Sequence, residues 1–282
     1  MAKINKEEHL IEGFEGGEIL LDISYQDLKS GTQPLAIFVH GFKGFKDWGA
    51  FNAISQQMAA RGLAWCKFNF SRNGTTPDKP TEFADPEAFG NNNYGIELTE
   101  IGLVLDWVES QSEHFHLNKN EIYLVGHSRG ATMAIIKTVE DERVKKTVAW
   151  APVFDMKSRF RKETIEKWEQ DGVWWVDNKR TGQKLPLYPQ FFKDYAIQSH
   201  RFDMAEVSAN YEKPLLLLHA KDDLAVDAAE SGMFYDHIAH SIRIELESGG
   251  HTFGVSHPFD DDKPLPEALD QVVDDTFEFL ID

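Results

Sequence analysis

The segment Gly126–Gly130 reads Gly-His-Ser-Arg-Gly and places a serine between two glycines at the spacing G-x-S-x-G. An apolar-rich run typical of a buried strand, Glu121–Val125, precedes it, and helix-forming residues, Ala131–Ile136, follow it. A serine hydroxyl becomes a nucleophile when a sharp strand-to-helix turn exposes its Oγ atom and a neighbouring base takes its proton. Glycines beside such a turn let the strand and the helix approach closely. The segment therefore predicts Ser128 as a catalytic nucleophile, with a simple strand-to-helix turn as the alternative.

Two later segments carry the acid and base residues that a serine nucleophile needs. The first, His219–Val226, reads His-Ala-Lys-Asp-Asp-Leu-Ala-Val and follows the apolar run Pro214–Leu218. The second, Glu247–Phe253, reads Glu-Ser-Gly-Gly-His-Thr-Phe and follows the run Ile242–Leu246. Because the carboxyl ends of parallel strands meet at one edge of a sheet, we expect both segments to lie near Ser128.

The acid and the base each have two candidates. Asp222 and Asp223 are adjacent, and either could orient the imidazole of the base. For the base we favour His251 over His257, because His251 directly follows a strand within Gly-Gly-His-Thr-Phe. Three other histidines have structural interpretations, at strand ends or as packing beside the serine: His40, His219 and His127. No clustered ligand spacing indicates a metal site, so neither a metal nor a cofactor is expected.

Strand-like and helix-like segments alternate along most of the chain. The first thirty residues indicate an antiparallel ribbon, with Ile19–Ser24 as its clearest strand. Later strands are predicted at Pro34–His40, Trp65–Phe70, Glu121–Val125, Thr147–Ala151, Pro214–Leu218 and Ile242–Leu246. Helices are predicted at Asp47–Arg61, Asn93–Ser110, directly after Ser128, Val226–His237 and Leu265–Leu280. This alternation predicts an α/β fold, in which helices cover both faces of a mostly parallel sheet.

One connection of roughly sixty residues breaks the alternation, between the strand ending near Ala151 and the strand starting near Pro214. Connections of this length are usually functional or separately folded. We interpret residues 154–212, the insertion, as a cap over the carboxyl edge of the sheet. Residues 1–153 and 213–282 would then form the core. A dimerisation arm, and with it a homodimer, is the alternative.

The insertion contains a helix-like stretch, Lys157–Gln170, and then two extended runs within Gly172–Leu187. An Asn-to-Gly turn joins the two runs, which predicts a hairpin. Trp174 and Trp175 in the first run are candidates for an aromatic substrate pocket. Side chains alternate along a strand, so the two indoles are expected to point to opposite sides, and packing explains one of them equally well.

Composition limits the partners and the location of the protein. The chain has 282 residues, of which 41% are hydrophobic, enough for a single α/β unit with a substantial core. The formal net charge of −18 disfavours nucleic acid and anionic membrane, both of which bind basic surfaces. The start Met1–His9 has no apolar signal segment, and the single cysteine, Cys66, forms no internal disulfide, which favours a cytoplasmic location.

Four segments make the chain resemble α/β-hydrolases of the group around dienelactone hydrolases, cinnamoyl or feruloyl esterases and prolyl-oligopeptidase-type catalytic domains. They are His40–Gly44, Gly126–Gly130, His219–Val226 and Gly250–Phe253, and the resemblance extends from about residue 34 to the end. The group usually has glycine where Ala220 stands. The resemblance implies the α/β-hydrolase fold and a serine carboxylesterase that acts on small-molecule esters through an acyl-enzyme. A peptidase with the same triad, acting on small peptides, is the alternative, and a non-catalytic ligand-binding protein is a third hypothesis.

The resemblance also assigns the acid and the groups that stabilise an oxyanion. Its pattern places the acid four residues after the strand-ending histidine and three before the valine, which selects Asp223 over Asp222. One oxyanion donor is implied to be the backbone N–H after the nucleophile, that of Arg129. The other is the N–H after His-Gly, that of Phe42. For the side chain of Arg129, contact with a substrate carboxylate and a salt bridge across the turn both stay open.

Overall fold

A computed structural model describes residues 3–160 and 162–282. Met1 and Ala2, which begin the segment predicted to lack a signal peptide, lie outside the described residues. So does Arg161, within the predicted helix Lys157–Gln170. No helix in the described ranges is both long and apolar enough to cross a membrane.

Eight of the ten strands in the described residues form one sheet. In chain order the strands are β1 (Lys3–Glu12), β2 (Glu18–Asp27), β3 (Gln33–Val39), β4 (Ala64–Phe68), β5 (Leu117–His127), β6 (Val144–Trp150), β7 (Trp174–Asn178), β8 (Gln183–Leu187), β9 (Leu215–Ala220) and β10 (Ser241–Leu246). The order across the sheet is β1-β2-β4-β3-β5-β6-β9-β10. The pairs β1–β2 and β2–β4 are antiparallel, and all later neighbours are parallel. The predicted N-terminal ribbon and the mostly parallel sheet are confirmed.

Helices cover both faces of this sheet. In chain order they are α1 (Phe51–Ala60), α2 (Pro86–Gly90), α3 (Tyr94–Ser110), α4 (Arg129–Glu140), α5 (Lys162–Asp171), α6 (Gln190–Ile197), α7 (Met204–Ala209), α8 (Ala229–His237) and α9 (Glu267–Ile281). One core joins α1 and α9 to sheet residues such as Phe38 and Trp150. The other joins α3 and α4 to sheet residues such as Ile37 and Leu124. Neighbours such as Ile37 and Phe38 thus enter different cores, which is why the parallel strands are apolar at nearly every position.

The predicted helix Asp47–Arg61 is α1, and it begins four residues later, at Phe51. The carboxylate of Asp47 is occupied by an ion pair with the buried ammonium group of Lys67. Gly49 has a φ of 59°, in the left-handed region that a right-handed helix excludes. The chain before Phe51 is therefore an ordered loop, although its sequence has helical spacing.

Two further helices differ from their predicted bounds. The helix predicted at Val226–His237 is α8, which begins at Ala229. The N–H of Ala229 donates to Oδ1 of Asp227 at 2.9 Å, a contact that closes the preceding turn. The helix predicted at Lys157–Gln170 consists of a single 3₁₀ turn, Lys157–Arg159, followed by α5.

The predicted hairpin of the insertion forms. Strands β7 and β8 pair antiparallel, with Trp174 opposite Leu187. The indole N–H of Trp168 in α5 donates to the carbonyl oxygen of Leu187 at 2.6 Å and ties α5 to β8. Two helices that were not predicted, α6 and α7, complete the stretch before β9. The division into a cap of residues 154–212 and a core of residues 1–153 and 213–282 stays a prediction.

Candidate active site

Ser128 lies at a sharp turn between β5 and α4. Its backbone has φ 56° and ψ −126°, a conformation that a residue with a side chain adopts only under strain. A Cβ atom on Gly126 would lie 2.4 Å from the carbonyl oxygen of Gly130. One on Gly130 would lie 2.3 Å from the carbonyl oxygen of Val39. Neither position has room for a side chain, so both glycines are required for the strand and the helix to meet at this serine.

Hydrogen bonds join Ser128, His251 and Asp223 in one line. Oγ of Ser128 lies 2.9 Å from Nε2 of His251. Nδ1 of His251 lies 2.7 Å from Oδ2 of Asp223. An imidazole that donates its Nδ1–H to a carboxylate leaves Nε2 as an acceptor, so the hydroxyl of Ser128 donates to it. Three residues that follow β5, β9 and β10 in the sequence are thus brought together at the carboxyl edge of the sheet.

The carboxylate of Asp223 is buried and accepts hydrogen bonds on both oxygens. Its Oδ1 accepts the N–H groups of Ala225 at 2.7 Å and Val226 at 3.0 Å. Its Oδ2 lies 3.2 Å from Nε2 of His219, in addition to the contact with His251. Burial alone would raise the pKa of Asp223, but the hydrogen bonds from His219, His251 and the backbone hold it well below its usual range. Asp223 is therefore ionised at neutral pH, the state that orients an imidazole.

Asp222, the other candidate acid, contacts backbone instead of the imidazole. Its Oδ1 accepts the N–H of Gly250 at 2.8 Å. This bond joins the loop after β9 to the loop that carries His251. The two adjacent aspartates thus have different contacts. Asp223, the residue that the resemblance favours as the acid, contacts the imidazole, and Asp222 contacts the backbone.

The rival base and the histidine beside the nucleophile have structural contacts. His257 accepts the N–H of Gly49 on its Nδ1 at 3.0 Å and lies outside the line of hydrogen bonds at Ser128. His127 donates its Nε2–H to the backbone carbonyl oxygen of His251 at 2.7 Å. Burial lowers the pKa of His127 to about 3, so its ring is neutral. Among the described residues, no group of three or more His, Cys, Asp or Glu side chains could hold a metal ion.

The loop after β3 brings a second backbone N–H close to the serine. A Cβ atom on Gly41 would lie 3.0 Å from Cβ of Ser128, which shows how closely this loop approaches the turn. Within residues 3–160 and 162–282, neither the N–H of Phe42 nor that of Arg129 donates a hydrogen bond to another group. Unused N–H groups beside a nucleophile are what an oxyanion hole requires.

His40 supports this loop from the core. Its Nδ1–H donates to the carbonyl oxygen of Gly41 at 2.9 Å, and its Nε2 lies 3.4 Å from the side-chain amide nitrogen of Asn73. Burial lowers the pKa of His40 to about 4. A neutral ring can donate on one nitrogen and accept on the other, which is the pattern that these two contacts need.

Ser128 and His251 line a cavity of about 680 Å³, a volume in the range of small-ligand sites. Aromatic side chains form much of its wall: Phe42, Tyr94, Phe160, Trp168, Trp174 and Phe191. Of the two tryptophans proposed for the pocket, Trp174 lines the cavity and Trp175 does not. Trp175 is 54% exposed, because alternation along β7 turns it to the opposite side of the hairpin. The assignment of Trp175 to the pocket is therefore corrected.

Two charged residues at the cavity go beyond the sequence-based predictions: the contact of the Arg129 side chain was left open, and Lys43 was not proposed as a site residue. The guanidinium group of Arg129 forms a salt bridge of 2.6 Å with Glu97 of α3, which is one of the two contacts considered for this side chain. Burial raises the pKa of Glu97, against the opposing charge of Arg129. The position of Glu97 within the apolar stripe of α3 could have indicated a buried carboxylate that needs a charged partner.

Lys43 also lines the cavity, and its position directly after Phe42 could have indicated this.

Comparison with protein-family models and with curated proteins gives no match. Several solved structures resemble the chain over nearly its whole length. Est1E from Butyrivibrio proteoclasticus is 17% identical, with a TM-score of 0.68 and 97% of each chain covered. Est1E with bound ferulic acid is 18% identical, with a TM-score of 0.71, over 95% of this chain and 96% of that one. An esterase domain from a Rhodothermus marinus protein is 16% identical, with a TM-score of 0.59, over 89% of this chain and 90% of that one. With the observed strand order, these likenesses show that the chain has the α/β-hydrolase fold.

Proposed function

We propose that the chain is a serine hydrolase that cleaves carboxylic esters. The observation that carries this proposal is the line of hydrogen bonds from Ser128 through His251 to Asp223 at the wall of an aromatic-rich cavity. A strained serine alone could be a structural turn, and a buried Asp–His pair alone could be a structural contact. Their alignment, with the serine beside a cavity, is the arrangement that nucleophilic catalysis requires.

In the proposed reaction, Nε2 of His251 takes the hydroxyl proton while Oγ of Ser128 forms a bond to the ester carbonyl carbon. The carbonyl oxygen becomes an oxyanion, which accepts hydrogen bonds from the N–H groups of Phe42 and Arg129. The intermediate then loses its alkoxide, and His251 returns the proton to form the alcohol. Water, deprotonated by His251, attacks the acyl carbon. Ser128 leaves with that proton, and the carboxylic acid is released.

Asp223 acts through the imidazole in this scheme. Its ionised carboxylate holds the Nδ1–H tautomer of His251 and stabilises the imidazolium that forms before each collapse. The N–H groups of Ala225 and Val226 fix the carboxylate, so the imidazole is oriented before any substrate binds. Such preorganisation means that little reorganisation is needed during the reaction.

The wall of the cavity favours small or aromatic esters. Phe42, Trp174 and Phe191 offer ring faces or edges against which an aromatic acyl group could pack. One of the similar solved structures is an esterase domain, and another holds ferulic acid, an aromatic carboxylic acid. These likenesses support an ester substrate over a peptide. The cytoplasmic location and the homodimer stay predictions.

The proposal is tested with a panel of p-nitrophenyl esters of increasing acyl length, hydroxycinnamate esters and aminoacyl anilides. We expect turnover of esters without turnover of anilides, and loss of ester turnover in Ser128→Ala. Anilide turnover that equals or exceeds ester turnover would select a peptidase. No turnover of any compound by a folded protein that still binds a ligand would select a non-catalytic binding protein.

A further inference from the structure

Among the described residues, two cationic side chains line the cavity that holds Ser128. They belong to Lys43 and Arg129, and none of the described residues that line the cavity is an aspartate or a glutamate. The chain as a whole has 47 acidic residues against 29 basic ones. A positive cavity wall in so acidic a protein concentrates positive potential at the place where a ligand would bind.

Arg129 keeps hydrogen-bond donors available although it has an acidic partner. Its Nη2 donates to Glu97, which is buried in the core and does not line the cavity. The guanidinium carbon lies 4.5 Å from the ring centre of Phe42. A guanidinium group has five N–H donors, and in the described part of the chain this one donates only to Glu97. The unused donors at the cavity wall suit a carboxylate, which can accept two parallel hydrogen bonds.

Lys43 makes no direct contact with a carboxylate of the described residues. Its Nζ donates to the backbone carbonyl oxygen of Asp177 at 3.1 Å, whereas an ammonium group has three donors. On β7 the residue Asp177 alternates with Trp174 and Val176, which line the cavity, and Asp177 itself is exposed. Burial lowers the pKa of Lys43, against the opposing charge of Asp177, so the ammonium group is partly desolvated. Within residues 3–160 and 162–282, Lys43 is thus a cation at the cavity without a bonded anion.

The backbone conformation of Lys43 is also strained. Its φ of 58° lies in the left-handed region, where glycine would be unstrained. A lysine at this position therefore supplies a side chain at the expense of backbone strain, and strained residues of this kind cluster at ligand sites.

We infer that the ester hydrolysed at this site carries a carboxylate, which Lys43 and Arg129 bind while Ser128 attacks the ester carbonyl. The inference rests on the proposed function and narrows it from carboxylic esters in general to esters that also carry a carboxylate, such as monoesters of dicarboxylic acids. A bound carboxylate would supply the anion that the described lining residues lack, and the aromatic side chains would shield the ion pairs from water. Lys43 directly follows one proposed oxyanion donor and Arg129 is the other, so a short chain should separate the carboxylate from the ester.

The same position allows a competing role for the two charges. Because both residues adjoin the proposed oxyanion hole, they could stabilise the oxyanion instead of a substrate carboxylate. In that case the loss of one charge would lower kcat for every ester by the same factor. Selectivity between two matched esters therefore separates the two roles.

The experiment compares two p-nitrophenyl esters of equal length, the hemiester of glutaric acid and its terminal carboxamide. We expect the wild type to prefer the carboxylate ester by about tenfold in kcat/KM, mainly through KM. Higher ionic strength should reduce this preference. Lys43→Gln should remove most of it, and Lys43→Arg should restore it. Lys179→Gln removes a nearby charge from an exposed lysine outside the cavity wall, and it should keep the preference.

Two results would overturn the inference and leave the proposed function standing. They are equal wild-type turnover of the two esters, and an equal loss for both esters in Lys43→Gln. If neither these esters nor any in the neutral panel is hydrolysed, the proposed function fails, and the inference fails with it. The wild-type comparison needs no variant, so the test holds even if Lys43→Gln does not fold.

Discussion

The edge of the sheet and the insertion contribute different kinds of side chain to the same cavity. The sheet edge supplies Ser128, His251 and both cations, Lys43 and Arg129. From the insertion, residues 154–212, the described lining side chains are apolar, aromatic or hydroxyl-bearing, and none of them carries a charge. Among the described lining residues, the charged side chains thus come from the loop after β3 and from the first turn of α4.

The two regions also differ in how their side chains are held. At the sheet edge the side chains of Ser128, His251 and Asp223 each have a hydrogen-bonded partner, and Asp223 also accepts two backbone N–H groups. Trp174 of the insertion is held by the pairing of a two-stranded hairpin. We infer that the sheet edge fixes the chemistry and that the insertion selects the substrate. The predictions below test this division, beginning with the largest effect.

Ser128→Ala should remove nearly all turnover and leave the fold intact. Loss of a catalytic serine typically lowers kcat by about 10⁶-fold, because no other group can form the acyl-enzyme. Alanine has no hydroxyl but carries the same Cβ atom as serine, so the backbone strain is unchanged, and circular dichroism and the melting temperature should match the wild type. Ester turnover by the variant within tenfold of wild type would show that Ser128 at the sheet edge is not the nucleophile.

Asp223→Asn should lower kcat by about 10⁴-fold, because an amide no longer holds the required imidazole tautomer. Asp222→Asn is the matched control, since it changes the adjacent carboxylate and retains an acceptor for the N–H of Gly250. We expect its kcat to stay within a few-fold of wild type. A larger loss at Asp222 than at Asp223 would reverse the assignment of the acid.

The free energy of unfolding should decrease as the pH is lowered, in part because of His40. Its pKa is about 4 in the folded protein, below the ordinary value of 6.5, so the unfolded chain binds the proton first. The stability from the neutral ring is complete above pH 6.5 and is lost as pH falls towards 4. The loss is at most about 1.4 kcal/mol for each pH unit.

Urea denaturation across this pH range compares the wild type with His40→Asn, which retains a donor and an acceptor. The dependence of the free energy of unfolding on pH should be weaker in the variant by the part that His40 contributes, whatever other groups titrate. The same pH dependence in the two proteins would show that the ring of His40 is not held neutral beneath the loop of Phe42.

Trp174→Ala should weaken the turnover of bulky esters and have little effect on acetate esters. Apolar surface lost from a binding wall costs about 25 cal/mol per Å², so the indole should account for roughly fivefold in kcat/KM. Trp175→Ala is the matched control on the opposite side of β7 and should change neither. If both variants lower the turnover of small and bulky esters by one common factor, the hairpin is not a substrate wall.

The sequence predicted the sheet edge well because its signals are local. Ser128 directly follows β5, and Asp223 and His251 lie on the short loops after β9 and β10. Parallel strands bring such positions together whatever the details of packing. The alternation of Trp174 and Trp175 is equally local. The positions of residues relative to their strands are therefore enough to predict that Ser128, Asp223 and His251 lie close together and that the two indoles point to opposite sides.

Contacts between distant elements were not predictable in this way. The partner of Arg129 is Glu97, and their meeting depends on how α3 packs beside α4. Helices α6 and α7 are too short for their apolar spacing to stand out. The late start of α1 depends on the ion pair between Asp47 and Lys67, residues that lie on different elements. In each case tertiary packing overrides or completes the local pattern.

The most direct test of the account is covalent labelling with a fluorophosphonate, followed by mass spectrometry of the labelled peptides. We predict one adduct per chain, on Ser128, with none in Ser128→Ala and much slower labelling in His251→Ala. A stoichiometric adduct on another residue, or undiminished labelling of Ser128→Ala, would contradict the claim that Ser128 is the nucleophile activated by His251 and Asp223.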